Sequence, residues 1–262
     1  MKTIIVCYNN LPEKENFKLL KRSNFFFSES TGFIISNTKS NMVSILDVHG
    51  DVIYSEYISD LNREMEFSGY HDAYLIAENF FGSINECLFL NDTIFSHGTL
   101  RKCERLALIE YKIKKIFAKK NKSKTIIGFL HKSKYLSKID GFHEYINSKF
   151  FIIFNLTKNE LSDMLAMSKI QVSFNENKEY RNNIYTTSEY SDFLSSWLNK
   201  GGWYQAEEVT KKNEVKFLRK ARSIIHEHYM SDPSTKIFEV KMCLIKESYL
   251  MKIISLLTKF KY

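Results

Sequence analysis

Proline and glycine are scarce, with 2 and 9 among 262 residues. A chain so poor in both is not built of linkers or disordered low-complexity stretches, and its 44% apolar content suffices for a core. Cys7, Cys87, Cys103 and Cys243 lie far apart and form no Cys-x-x-Cys pair, so neither a zinc site nor a disulfide framework is indicated. Cys7 and Cys87 fall inside apolar runs and read as small core residues. No apolar stretch reaches the ~18 residues that span a bilayer. The amino-terminal run after Lys2 breaks at Asn9-Asn10, too short for a signal peptide. A cytoplasmic location is expected. Also missing are Gly-x-x-x-x-Gly-Lys, Gly-x-Gly-x-x-Gly after a strand, Gly-x-Ser-x-Gly and His-Glu-x-x-His, which removes most support for P-loop, Rossmann, α/β-hydrolase and zincin chemistry.

What is present is an alternation of short apolar runs with helical patterns. Thr3–Tyr8, Gly32–Ser36, Val52–Tyr57 and Cys87–Asn91 read as strands, and Glu13–Arg22 and Ala73–Phe81 as helices. Such alternation predicts an α/β fold with a mostly parallel central sheet flanked by helices. Leu100–Lys120 is expected to be a long helix, Thr125–Leu130 and Phe150–Phe154 strands, and Leu161–Met167, Tyr190–Trp197 and Glu214–Ile225 helices. A main domain of residues 1–210 would carry a basic, helical extension, 211–262. In Lys236–Tyr262, Lys241, Ser248, Lys252, Ser255 and Lys259 share one side of a helical wheel and apolar residues fill the rest. That pattern suits contact with an anionic membrane surface or docking on the core. Charge is uneven within the total of +8: residues 1–100 are net acidic, and 101–124 and 211–262 are basic. Basic segments also suit nucleic acid, but no nucleic-acid-binding signature accompanies them and no nucleic-acid partner is expected.

The most informative stretch is Ile84–Thr93, an apolar run that stops on Asn91-Asp92. A carboxylate at the carboxyl end of a buried strand sits where open α/β sheets bind ligands, so Asp92 is the first candidate for chemistry. The first strand ends similarly in Cys7-Tyr8-Asn9-Asn10, where Tyr8 would stack on a nucleotide base and Asn9 hydrogen-bond it. Ser36-Asn37 has the same strand-end placement, and Gly201-Gly202-Trp203-Tyr204 is a break that could set an aromatic over a ligand or simply pack.

Upstream lies Asn62-Arg63-Glu64-Met65-Glu66-Phe67-Ser68-Gly69-Tyr70. Together with Asn91-Asp92-Thr93 it resembles the rhamnan synthesis protein F family of bacterial polysaccharide glycosyltransferases, which pairs Asn-x-Gly-x-Asp-Phe-x-x-aromatic with a strand ending in Asn-Asp-Ser. Glu64 stands where the family has glycine and Glu66 where it has aspartate; glutamate lacks glycine's backbone freedom, so the local turn must differ. Ile146–Phe151 and Ile225–Tyr229 also look like segments of related O-antigen and capsule proteins.

The resemblance implies a GT-A-like single domain that moves a sugar from a nucleotide-sugar donor to a lipid-linked O-antigen or capsular intermediate, peripheral at the inner membrane face. It implies Glu66 and Asp92 as catalytic residues and Asn62 and Asn91 as donor-binding ones, to which the strand-end position adds Tyr8 and Asn9. A divalent cation, Mn²⁺ or Mg²⁺, would neutralise the departing diphosphate. GT-A enzymes often hold it with Asp-x-Asp, but this chain has the single Asp92, and His226 and His228 would complete the shell if their stretch were extended. Glu64, Asp72, Asp140 and Glu144 are further acids that could serve as a base. The alternative is a non-catalytic relative that binds sugar nucleotides or partner proteins.

Overall fold

A computed structural model describes residues 1–9, 11–23, 31–95, 124–131, 145–166, 169–203, 205–231 and 241–245. The strands are β1 (Lys2–Cys7), β2 (Phe33–Asn37), β3 (Met42–Leu46), β4 (Val52–Tyr57), β5 (Arg63–Met65), β6 (Glu86–Asn91), β7 (Thr125–His131), β8 (Tyr145–Phe154), β9 (Val172–Phe174), β10 (Tyr180–Asn182) and β11 (Lys241–Ile245). The helices are α1 (Glu13–Ser23), α2 (Glu66–Phe81), α3 (Lys158–Leu165), α4 (Ser188–Asn199) and α5 (Glu214–Ser231).

Eight strands form one sheet in the order β11-β7-β8-β6-β1-β2-β3-β4. The protein is α/β as expected, but the sheet is mixed rather than mostly parallel. β1 runs parallel to β2 and β6, and β11 to β7; β2–β3, β3–β4, β6–β8 and β7–β8 are antiparallel. Connection length explains the first antiparallel pairs, because a parallel crossover needs a dozen or more residues and only Thr38–Asn41 separate β2 from β3. The Asp47 carboxylate closes the next turn by accepting from the amides of His49, Gly50 and Asp51 at 2.8–2.9 Å. Gly50 there has φ 92°, and a Cβ on it would lie 2.2 Å from the Phe17 ring.

Strand alternation divides the core between the two faces of the sheet. Ile4, Val6, Ile34, Val43, Ile45, Phe89 and Phe151 meet α2 and α3 on one face. Ile5, Cys7, Ile35, Leu88, Leu90, Phe150 and Ile152 meet Phe17 and Leu20 of α1 on the other. Cys7 and Cys87 are buried thiols, as expected, and burial pushes both thiols up in pKa. A third apolar cluster joins α4, α5 and the β9–β10 hairpin through Tyr180, Tyr190, Leu194, Phe217 and Ile225. Trp203 packs within it, edge-on to Phe217 at 5.6 Å, so the Gly201–Trp203 break carries a packed loop tryptophan.

In the carboxyl-terminal part, the α5 stripe of Phe217, Ala221, Ile224 and Ile225 is buried, and the helix packs on β8, β5 and β9. Lys241–Ile245, placed on an amphipathic helix from sequence, forms a strand parallel to β7 at one end of the strand order instead. The remainder of the 236–262 segment, the Leu100–Lys120 helix, Asp140 and Glu144 lie outside the described residues. No helix among the described residues is long and apolar enough to cross a membrane.

At the far edge, β4 exposes Val52, Ile53, Tyr54 and Tyr57, with only Glu56 as a charge. A register shift interrupts its pairing with β3 beside Ile45 and Leu46.

Candidate active site

From β1 the chain crosses to β2 on one side, and β6 later adds on the other. The order therefore reverses at the carboxyl ends of β1 and β6, the position at which open α/β sheets leave a crevice. Asp92 follows β6 there, as expected. Its Oδ2 accepts from the backbone amides of Tyr8 at 2.8 Å and Asn9 at 3.0 Å, so the carboxylate ties the end of β1 to the end of β6. The neighbouring asparagines shape turns: Asn9 Oδ1 accepts from the Leu11 amide at 3.1 Å and Asn91 Oδ1 from the Thr93 amide at 2.8 Å. Asn37 Oδ1 does the same for Lys39 and Ser40. Tyr8 is turned inward, with its ring against the α2-side core, so it contributes a hydroxyl rather than an open stacking face.

Helix α2 brings the second acid. It starts at Glu66, seven residues earlier than the sequence pattern suggests, without a side-chain cap and after Met65 at φ 56°. The positive φ falls on Met65, one position beyond Glu64. A non-glycine residue there is strained. Ser68 holds the turn, its Oγ lying 2.8 Å from the Leu61 carbonyl and accepting from the Glu64 amide at 3.1 Å. Gly69 lets the helix sit directly on the sheet, since a Cβ there would be 2.8 Å from Val6 Cγ2 and 3.0 Å from Ser36 Oγ. Glu66 is thereby carried inward until it is 4% exposed.

Two residues not singled out from sequence complete the arrangement. β6 and β8 pair with Leu90 opposite Phe150, a register that brings Ser148 level with Asp92. The Ser148 hydroxyl donates to Glu66 Oε1 at 2.5 Å, and its amide donates to Glu227 Oε1 at 2.8 Å. The Tyr8 hydroxyl donates to Glu66 Oε2 at 3.3 Å and the Tyr70 hydroxyl to the Ser148 carbonyl at 2.8 Å. Strand ends β1 and β6, helix α2, strand β8 and helix α5 thus converge on one serine between two glutamates. The signal for Ser148 and Glu227 was in the sequence, because both lie in the segments Ile146–Phe151 and Ile225–Tyr229.

The two carboxyls are pushed in opposite directions. Burial acts to raise Glu66, but the Lys220 ammonium and the Ser148 hydroxyl outweigh it and hold the group below its usual range. Burial and then the charge of Glu66 raise Glu227, with Lys220 and Ser148 offsetting only part. Burial and the Glu66 charge also lift the Tyr8 and Tyr70 phenols well above their ordinary value.

The proposed metal shell does not assemble. Ile225–Tyr229 is helical, so residues two apart point to different sides. His226 packs edge-on to Phe67 at 4.4 Å, whereas the His228 ring bonds the Tyr190 hydroxyl at 2.6 Å in the third cluster. Burial lowers His226 to about 4 and His228 to about 3. Among the described residues no three His, Cys, Asp or Glu side chains form a metal-binding group. Asn62 lies in the turn before β5, with its Oδ1 buried and unpartnered. Glu64 pairs with Arg222 at 3.1 Å and Asp72 with Arg63 at 2.6 Å, which makes both structural ion-pair partners.

Compared with protein-family models, curated proteins and solved structures, the chain has no match.

Proposed function

We propose that this protein is a glycosyltransferase of GT-A-like architecture, moving a sugar from a nucleotide-sugar donor to a lipid-linked O-antigen or capsular intermediate at the inner membrane face. The observation that carries this reading is the convergence of Glu66, Ser148 and Glu227 beside Asp92. They come from the four sequence segments that carry the family resemblance. Further support comes from the reversal of strand order at β1 and β6, the position at which open α/β sheets bind nucleotides.

Transfer to a hydroxyl with inversion requires a group that removes the acceptor's proton, and the site offers two carboxyls with separated proton affinities. Asp92 braces the loop after β1, which fixes the backbone against which a donor would lie. The set Asp92, His226 and His228 does not fit a divalent cation, so no step is assigned to one.

A thermal-shift screen of the full chain against nucleoside diphosphate sugars tests the proposal. One donor is expected to stabilise the fold, by about 2.7 kcal/mol at a hundredfold excess over its dissociation constant. Silence across the panel, with the protein folded, overturns the donor-binding claim. A second reading, a sugar-nucleotide-binding relative without turnover, is favoured by the commitment of Asp92 Oδ2 to two backbone amides. A donor that shifts the melt yet is never consumed selects it.

A further inference from the structure

Glu66 is the acid singled out by the resemblance, yet its surroundings suit a fixed charge better than a proton carrier. It is 4% exposed, and its two oxygens receive the Ser148 and Tyr8 hydroxyls. Glu227 differs in each respect. It is partly exposed, and it is anchored at Oε1 by a backbone amide that cannot rotate away. Lys220 and Ser223 precede it on the same helical face, at the i−7 and i−4 positions, and the Ser223 hydroxyl is buried without a partner.

We propose that Glu227 is the proton-exchanging catalytic carboxyl of this site and that Glu66 is its ionised positioning partner, the two coupled through Ser148. The assignment rests on the transferase reading. In the step it describes, ionised Glu227 takes the proton as the acceptor O–H bond breaks. The freed electron pair forms the bond to the anomeric carbon, and the bond from that carbon to the diphosphate oxygen breaks with its electrons leaving on the diphosphate. Glu227, the more exposed of the two carboxyls, then returns its proton to water.

The charged and titratable groups that the described residues set around the pair act on this cycle. Asp92 after β6, Tyr8 after β1 and Tyr70 on α2 surround Glu66, while Lys220 and His226 share α5 with Glu227. Two carboxyls in one enclosed site cannot both ionise freely. Lys220 and the Ser148 hydroxyl favour the charge on Glu66, which leaves Glu227 to hold the proton to higher pH, and a base works best when its affinity approaches the working pH.

The test is an infrared titration of the carboxyl C=O band in the full chain. One carboxyl is expected to titrate above the usual value near 4.3. That band disappears in Glu227→Gln, which keeps an acceptor for the Ser148 amide, and its midpoint falls in Glu66→Gln, where the like charge is gone. A high-titrating band that survives Glu227→Gln, or none in the wild type, overturns the assignment. With any donor that the thermal screen identifies, Glu227→Gln retains the thermal shift and loses about 100-fold or more in donor consumption; unchanged consumption overturns the catalytic role. Because the infrared band needs no donor, a band assigned to Glu227 alongside a silent donor screen overturns the transferase reading alone.

Discussion

Two amides end on one oxygen at Asp92, and a single substitution there separates structure from chemistry. Removing the carboxylate leaves the Tyr8 and Asn9 amides without their acceptor. Hydrogen bonds to charged groups contribute about 1.5–3 kcal/mol each, so Asp92→Ala is expected to lower stability by about 3 kcal/mol in urea unfolding and to abolish any donor-induced shift. His226 and His228 set the acid limit. Their folded values of about 4 and about 3 lie below the unfolded 6.5, so the unfolded chain takes up protons that the native one refuses. The stability these two groups contribute is therefore full at neutral pH and lost as pH falls from about 6.5 toward about 3. Melting temperatures over that window should fall steadily, and His226→Met, which fills the space without titrating, should flatten the decline. Of the site, Asp92 and Glu66 were legible because a strand end and a short motif mark them. The exchange of the metal role for a packing role at His226 and His228 was not, because it depends on whether Ile225–Tyr229 is helical or extended.

Helix α2 fixes the site through a contact of one missing methyl. Gly69→Ala would place a Cβ 2.8 Å from Val6 Cγ2, and overpacking of this kind costs about 1–3 kcal/mol, more than the roughly 1 kcal/mol that alanine contributes to a helix. A net loss in chemical denaturation is expected, together with a smaller thermal shift from any donor the screen identifies, because Glu66 shifts with its helix. At α3 the Thr157–Glu160 capping box satisfies two amides reciprocally; Thr157→Ala should cost about 1 kcal/mol and leave donor binding unchanged. The strands β1, β4, β6 and β7 were legible from their apolar runs. β3 was missed because Met42-Val43-Ser44-Ile45-Leu46 lacks a clean alternation. β9 and β10 were missed because three-residue strands carry too few positions to show a period. The antiparallel β7–β8–β6 arrangement was beyond reach, since pairing between strands distant in sequence leaves no local pattern.

Among the described residues the core falls into three clusters, and α5 reaches beyond its own. Its Phe217 and Ile225 belong to the third cluster, while Glu227 reaches β8 and Arg219 and Arg222 reach Asp60 and Glu64. Phe217→Ala should cost about 3–5 kcal/mol if the cavity stays open. Hydrogen exchange should then quicken first in α4, β9 and β10, with β1 and β6 protected longest. At the opposite boundary, β4 is the last strand of the sheet among the described residues, and its rim carries exposed Val52, Ile53, Tyr54 and Tyr57. Natural sheets commonly guard such a rim with lysine or proline, and here Glu56 and an irregular register stand in that role. The consequence concerns handling in the laboratory: concentration, rather than temperature, will decide when this protein leaves solution, and a lysine at Ile53 should raise that ceiling without moving the melt.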